Sequence, residues 1–338
     1  MSIQRRRPLR NLALGGLFTA LLMAACGGDD GDLPEPPPAR KSATSLTPQE
    51  RQEFVQTLHK MKQLPSQYHS SLNAYDYFVD LHVLAFDDHH SGAHMAPGFL
   101  PWHREFLRRF EEEMRRASGN PKMTLPYWDW TEPGSIERIF RDDFMGGDGD
   151  PNENFFVKAG PFRKGQWTMA ENYDDTDDEW DDEIDPDMQL DPAGLQRKFD
   201  WAEELGAMPT LAEVADLLAT PRLYDVAPYD TTADPRLSMR NYLEGFRGPG
   251  QHSAMHNVVH LWVGGQMQTA SSPNDPVFFL HHTNIDRLWH QWQQKYGNST
   301  YPTMAQSMHG IHEKLFMFGD LTAEQTFDLE PHSNVVYE

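Results

Sequence analysis

Histidines occur with metal-ligand spacing in two stretches of this 338-residue chain. Two of them, His256 and His260, are four residues apart, and residues with this spacing lie on one face of a helix. Both imidazoles can therefore reach one metal ion. The first stretch carries His82, His94 and His103, and the second adds His281 and His282 on a further predicted helix, so each stretch can supply three imidazoles. Two sets of three imidazoles predict a binuclear metal centre.

The single cysteine of the chain, Cys26, limits the metals that such a centre could hold. One thiol forms neither an internal disulfide nor a thiolate cluster, which excludes cysteine-based zinc folds and iron–sulfur clusters. The sequence also lacks the Glu-x-x-His motif of di-iron bundles and the HExxH motif of zinc hydrolases. Imidazole ligands without bridging carboxylates fit a pair of copper ions, which together can give two electrons to dioxygen.

Helices are predicted around both histidine sets. The stretches Tyr75 to Phe86 and Pro101 to Ala117 have apolar residues at helical spacing, and His94 falls in the loop between them. A further helix is predicted to begin with Asp275 as N-cap and Pro276 at its first position. These patterns predict a mainly α protein with long loops and little strand.

The helix that carries His282 is predicted to end at Gly297, because glycine commonly follows the last helical residue. Asp286 lies one turn beyond His282 on the same face. A carboxylate there could accept an N–H from a metal-bound imidazole and hold its tautomer. We therefore predict that Asp286 supports His282 from behind the metal.

The N-terminal segment has the composition of a targeting sequence. Residues 1–25 combine an arginine-rich start with a short apolar run, which predicts a lipoprotein-type signal peptide. Cleavage would leave Cys26 as a lipid-modified N-terminus, so we expect an exported protein held at the cell envelope. An ordinary signal peptide and an uncleaved anchor are the alternatives.

The remainder divides into a linker and a domain. Residues 26–46 are rich in Gly, Asp and Pro and are predicted to be a flexible tether, with the folded domain at 47–338. The acidic run at 174–187 is predicted to be a solvated loop, the alternative being a divalent-cation or partner site. The formal net charge of −22 argues against nucleic acid as a partner, because the phosphate backbone would be repelled.

Several longer segments resemble the bacterial tyrosinases, a family of type-3 copper proteins. The segment 94–104 (HMAPGFLPWHR), followed by Glu111, resembles the copper A signature of this family. The segment 275–278 (DPVF), followed by His282 and Asp286, resembles its copper B signature. The resemblance extends from about Thr47 to the C-terminus and includes LPYWDW and HNVVHLWVGGQM. It implies a four-helix bundle enclosing a dicopper site, with copper A on His82, His94 and His103 and copper B on His256, His260 and His282.

The resemblance also implies an activity. Tyrosinases use dioxygen to hydroxylate monophenols such as tyrosine at the ortho position, and they oxidise o-diphenols to o-quinones. Members that hydroxylate phenols hold a water with a Glu and an Asn, which match Glu244 and Asn257 here, and this water helps to remove the phenolic proton. Many eukaryotic relatives form a thioether from a Cys two residues before the second copper A histidine. The residue here is Gly92, so this thioether cannot form.

Other functions stay open at this point. A catechol or o-aminophenol oxidase would perform only the second oxidation, although Asn257 argues against it. An oxygen carrier or a copper-storage protein would bind copper without turning over phenols, and a separate copper-delivering partner is also left open. Met304, Met308 and Met317, with neighbouring histidines, could form a copper-recruiting patch, but a packed tail segment is favoured.

The remaining histidines of the two stretches are predicted not to be ligands. His89, His90 and His252 do not match the spacing of the signatures. His281 is adjacent to the predicted ligand His282, and we expect it to be a packed core residue that points away from the His282 face.

Overall fold

The computed structural model describes residues 35–170, 190–201, 206–248 and 250–338. The helices in these ranges are α1 Pro48–Met61, α2 Asp76–Asp87, α3 Phe99–Ser118, α4 Ser135–Ile139, α5 Leu211–Ala219, α6 Met239–Glu244, α7 Met255–Val263, α8 Val277–Tyr296 and α9 Leu329–Ser333. The strands are β1 Ala39–Arg40, β2 Gly149–Asp150, β3 Phe156–Val157 and β4 Val336–Tyr337. The predicted signal peptide and acidic run lie outside the described residues. The prediction of a mainly α protein with little strand is confirmed.

The strands form two small ladders. Strand β1 pairs in parallel with β4, with Ala39 opposite Val336, and thus joins two segments from opposite ends of the described chain. Strand β2 pairs antiparallel with β3. No helix in the described part of the chain has both the length and the apolar character needed to cross a bilayer.

The folded unit begins before residue 47. The described residues from Pro37 to Glu338 form one compact unit, and within it Arg40 and Ala43 are buried. The predicted tether therefore extends too far along the chain, because its residues 37–46 belong to the folded unit. The prediction was wrong because residue 40 obtains its ionic partners from α3 and α8, and the local sequence contains no sign of them.

Helices α2, α3, α7 and α8 pack together through an aromatic core. Phe78 of α2 contacts Phe106 and Phe110 of α3, with ring centroids 5.3 and 5.0 Å apart. Phe110 in turn stacks on Phe279 of α8 at 3.6 Å. Helix α7 meets α8 through their histidines, and these four helices enclose the predicted metal ligands. The interdigitated rings give the bundle a rigid wall.

The start of α8 differs by one residue from its prediction. The helix begins at Val277, so Pro276 stands at the capping position and Asp275 precedes it. Asp275 nevertheless accepts the N–H of Val277 at 3.0 Å, which satisfies one of the free donors of the first turn. Gly297 ends the helix with a φ of 70°, as predicted. Helix α3 starts at Phe99, two residues early, because Pro101 is tolerated within a first turn.

Candidate metal centre

Three histidines from α7 and α8 converge on one point. The Nε2 atoms of His256, His260 and His282 lie 3.1 to 3.2 Å from one another. His256 and His260 are one turn apart on α7, and α8 supplies the third nitrogen across the helix interface. A neutral imidazole that carries its proton on Nδ1 has only a lone pair on Nε2. Three such Nε2 atoms cannot donate hydrogen bonds to one another. Three lone pairs aimed at one point fit a metal ion.

A second set of three histidines lies beside the first. His82 of α2, His94 of the following loop and His103 of α3 form a group whose ligand atoms lie within 4.8 Å of one another. The Nε2 atoms of His82 and His94 are 3.2 Å apart. The Nε2 atom of His103 is buried with no hydrogen-bond partner in the described structure, a condition that metal coordination would relieve. The ring of His103 stacks on that of His282 at 4.5 Å, which places the two sets next to each other.

Most of these imidazoles are oriented by a hydrogen bond from their outer nitrogen. When Nδ1–H donates to a fixed acceptor, Nε2 is unprotonated and faces the metal. The acceptors are Ala270 O for His82 (2.6 Å), Phe99 O for His103 (2.9 Å), Met267 O for His260 (2.5 Å) and Asn257 Oδ1 for His256 (2.8 Å). Met267 lies within the 3-10 helix Gly265–Gln268, and Ala270 lies between that helix and the next one, Ser272–Asn274.

Asp286 does not take the predicted position behind His282. Its carboxylate instead accepts hydrogen bonds from Arg40 at 2.8 Å, Arg104 at 2.5 Å and the Tyr337 hydroxyl at 2.7 Å. The Nδ1 atom of His282 has no hydrogen-bond partner among the described residues. The prediction was wrong because two buried guanidinium groups compete for the carboxylate, and a charged pair outweighs a neutral imidazole.

His281 is buried, as predicted, but it does not point away from the ligands. Its ring stacks on that of His256 with centroids 5.1 Å apart and lies 4.9 Å from the ring of His260. Both of its ring nitrogens lack hydrogen-bond partners in the described structure, and it forms a four-histidine group with the three α7 and α8 ligands. Successive helical residues are rotated by about 100°, so positions 281 and 282 both reach α7.

Burial keeps the ligands in the neutral form that binds metal. Loss of hydration lowers the pKa of His82 to about 3 and that of His260 to about 4. The same cause holds the pKa of His94, His103, His256 and His282 well below the usual value. Six neutral imidazoles without thiolates suit copper, so the donor set fits a dicopper centre.

A cavity of about 360 Å³ opens onto this centre. Its wall contains His94, His256 and His260 together with Glu244 and Asn257. The two residues that resemblance assigned to the water site therefore face the same space as the histidines. Leu261 and Thr269 also line the cavity, and so does His252, which the ligand assignment excluded.

Glu244 is held by two contacts that the sequence did not reveal. Its Oε1 atom accepts the backbone N–H of Met95 at 2.6 Å, and its Oε2 atom accepts from Nη1 of Arg240 at 2.9 Å. Burial raises the pKa of Glu244, and the guanidinium of Arg240 opposes this effect. The spacing of Arg240, four residues before Glu244 at the end of α6, was the one local signal for this pair.

Known proteins are similar to this chain in sequence. A family model, the common central domain of tyrosinase, matches residues 72–295. Tyrosinase from Streptomyces lincolnensis is 38% identical over 269 residues, which cover 78% of this chain and 85% of that protein. Grixazone synthase from Streptomyces griseus subsp. griseus is 34% identical over 275 residues, which cover 76% of this chain and 84% of that protein.

A solved structure also has a similar fold. A polyphenol oxidase variant from Thermothelomyces thermophila superposes with a TM-score of 0.55 at 24% identity, covering 75% of this chain and 70% of that one. The family model spans most of the chain, and the relatives exceed the identity at which a shared family is secure. With its two adjacent sets of imidazoles, this chain belongs to the tyrosinase family of copper oxidases.

Proposed function

We propose that this enzyme is a tyrosinase in the full sense: it hydroxylates monophenols at the ortho position and oxidises the resulting o-diphenols to o-quinones. The observation that carries the proposal is the position of Glu244 and Asn257, which both line the cavity in front of the histidine sets. An enzyme that oxidises only o-diphenols does not need a group that removes the proton of a monophenol. The presence of both Glu244 and Asn257 therefore favours the hydroxylating activity.

In this proposal His82, His94 and His103 hold copper A, and His256, His260 and His282 hold copper B. The bound copper pair supplies the redox chemistry with dioxygen. The chain itself supplies a largely apolar cavity and oriented imidazoles. Most of the cavity lining is apolar, which suits the ring of a neutral phenol.

Asn257 and Glu244 act on the proton of the phenol. Asn257 accepts from Nδ1 of His256 with its Oδ1 atom, which leaves the amide NH₂ to donate to a water. Glu244 is a buried carboxylate next to the same space, and it accepts that water's other hydrogen bond. The held water removes the phenolic proton and passes it to the carboxylate. Met95 and Arg240 keep the carboxylate oriented during this transfer.

The test compares tyrosine with its o-diphenol on the copper-loaded full chain. Oxygen uptake and quinone colour are recorded separately for the two substrates. We expect both to be turned over, and we expect Glu244→Gln to slow tyrosine more than the diphenol. Turnover of the diphenol alone would identify a catechol oxidase and remove the proposed role of the water. Reversible oxygen binding without turnover of either would contradict the activity.

We also propose that the protein is exported and carries a lipid on Cys26, as residues 1–25 suggest. Incorporation of labelled palmitate into the wild-type chain, and its loss in Cys26→Ser, would support this. An unlabelled chain recovered from the cytoplasm would contradict it.

A further inference from the structure

A second cavity, of about 510 Å³, adjoins the metal centre at His94. Its wall shares Phe86, His94 and Met95 with the first cavity. His94 therefore borders both spaces. The second cavity is not needed for a phenol to reach the proposed water site, because Glu244 and Asn257 line the first cavity only. The role of the second cavity therefore has to be inferred from its own lining residues.

The second cavity combines soft ligands with negative charge. Met308 and His89 contribute a thioether and an imidazole, and Asp88 and Asp230 contribute carboxylates. No lysine or arginine occurs among the described residues that line it, whereas Arg247 lines the first cavity. Carboxylates without a cation in the same wall concentrate cations there. Thioether and imidazole together select Cu(I) over the hard cations that carboxylates alone would attract.

The methionines of the C-terminal segment are not packed as the sequence suggested. Met308 is 59% exposed, and Met304 and Met317 are 48% and 55% exposed. Of these three, Met308 alone lines the second cavity. An exposed thioether at the entrance of an acidic cavity is accessible to copper from solution or from a donor protein. The favoured prediction of a packed tail segment was wrong for these side chains.

His94 differs from the other copper A ligands in how it is held. His82 and His103 each donate Nδ1–H to a backbone carbonyl, which fixes the orientation of their rings. The Nδ1 atom of His94 has no hydrogen-bond partner among the described residues. Its ring can thus turn more easily toward an incoming ion and then toward the other two imidazoles. The least restrained of the three copper A ligands is thus the one that borders both cavities.

His309 forms a wall of the second cavity. Its Nδ1 atom pairs with Glu313 at 2.9 Å, and the residue is only 8% exposed. A Cβ atom placed on Gly92 would lie 2.3 Å from the same Nδ1 atom, so the ring packs directly on the loop that carries His94. We assign His309 to shaping the cavity and leave metal capture to Met308 and His89.

We propose that the second cavity is a copper-loading site. Met308 and His89 capture Cu(I) at its entrance, and the ion passes to His94 and then to the copper A set. The transfer exchanges one ligand for another and requires no change in oxidation state. The proposal is independent of which phenol the enzyme oxidises.

Copper uptake by the copper-free full chain tests this route. A Cu(I)–bicinchoninate complex is mixed with the apoprotein under anaerobic conditions without phenol, and loss of the complex's colour is followed by stopped flow. Met308→Leu and His89→Gln are each expected to slow uptake roughly tenfold, the lower end of the loss seen when groups supporting a metal site are removed. The final copper content should still reach two ions per chain, one for each histidine set.

Matched controls come from the same segments. Met317→Leu removes a thioether of similar exposure that does not line the cavity, and His90→Gln removes the neighbouring exposed imidazole of the same loop. Both controls should load at the wild-type rate. Wild-type rates in Met308→Leu and His89→Gln would overturn the proposal, and so would equal slowing in the controls. A lower final copper content in the two cavity variants would also overturn it, because capture residues do not hold the final ions.

A direct binding measurement keeps the proposal falsifiable if uptake is limited by another step. Apoprotein labelled with ¹³C at its methionine methyl groups is titrated with Ag(I), a redox-inert substitute for Cu(I). The signal that disappears in Met308→Leu should shift at substoichiometric Ag(I), before that of Met317. An unshifted Met308 signal would overturn the proposal. None of these readouts depends on oxygen or phenol, so their failure leaves the oxidase activity untouched.

Discussion

The guanidinium of Arg40 donates from Nη1 to Oδ2 of Asp286 at 2.8 Å, across 246 positions of sequence. The same side chain donates from Nε to Glu111 of α3 at 2.9 Å. All three side chains are buried. Strand β1 thereby connects the two long helices that carry His103 and His282 at a point away from the metals. Strand β1 is thus a structural part of the bundle.

Removal of Arg40 should destabilise the protein strongly. Arg40→Ala would leave Glu111 and Asp286 buried with one cation fewer, and breaking a buried pair in this way typically costs about 3–5 kcal/mol. The free energy of unfolding by urea measures the loss. Lys41→Ala is the control, since its pair with Glu50 is largely exposed and should contribute less than about 1 kcal/mol. Equal losses of unfolding free energy in both variants would show that the buried network stabilises the protein no more than the exposed pair does.

Gly92 should tolerate no side chain. Gly92→Ala would place Cβ at 2.3 Å from the His309 ring, in a backbone conformation with a φ of +66°. We expect it to displace the His94 loop, lowering both stability and copper content. Gly119→Ala has a similar φ of +74° but no heavy atom within 4 Å, so it isolates the backbone cost of about 1 kcal/mol. Copper analysis and urea unfolding of both variants check this. Indistinguishable variants would argue against a steric role for His309.

The three-ligand assignment for copper B predicts different effects for neighbouring histidines. His260→Ala should reduce bound copper to about one ion per chain, because only one complete set of three imidazoles remains. His281→Ala should retain both ions, since its nitrogens do not belong to the close Nε2 triangle. Metal analysis after exhaustive dialysis distinguishes the two. Loss of an ion in His281→Ala would make it a ligand and require a new assignment.

Asn257→Ala should separate the two proposed activities. Loss of the amide removes one partner of the proposed water, and general acid–base catalysis typically contributes about 10²-fold or more. We expect kcat for tyrosine to fall by about that factor, with a smaller change for the diphenol. Gln251→Ala, at an exposed position of the same cavity, should affect both substrates alike. An equal fall in kcat for both substrates in Asn257→Ala would show that Asn257 acts only by orienting the ring of His256.

The ligand set and the helices could be predicted because their signals are local. His256 and His260 share a helical face through their spacing, and the Thr47–Glu50 capping box marks the start of α1 without reference to the rest of the fold. Because the chain has a single cysteine, the metal ligands had to be imidazoles, and this pointed to copper. The motif resemblance then connected the sets into one centre.

Other features depended on partners distant in sequence. Asp286 has the spacing of a histidine partner, yet Arg40 and Arg104 bind it, because ionic pairing inside the bundle outweighs a local alternative. Residues 37–46 were wrongly assigned to the tether for the same reason, because the ionic partners that bury Arg40 are distant in sequence. The prediction for His281 was wrong because helical periodicity gives the direction of a side chain but does not say which residue it will contact.

The sequence by itself therefore determined the chemistry of the donors, the helical scaffold and the family, since residue types and short spacings express these directly. Only the tertiary structure decided which carboxylate pairs with which arginine, how Glu244 meets Met95, and that His94 borders two cavities. Such relationships arise when separate segments pack, and the free energy of each contact depends on every group that competes for the same buried space.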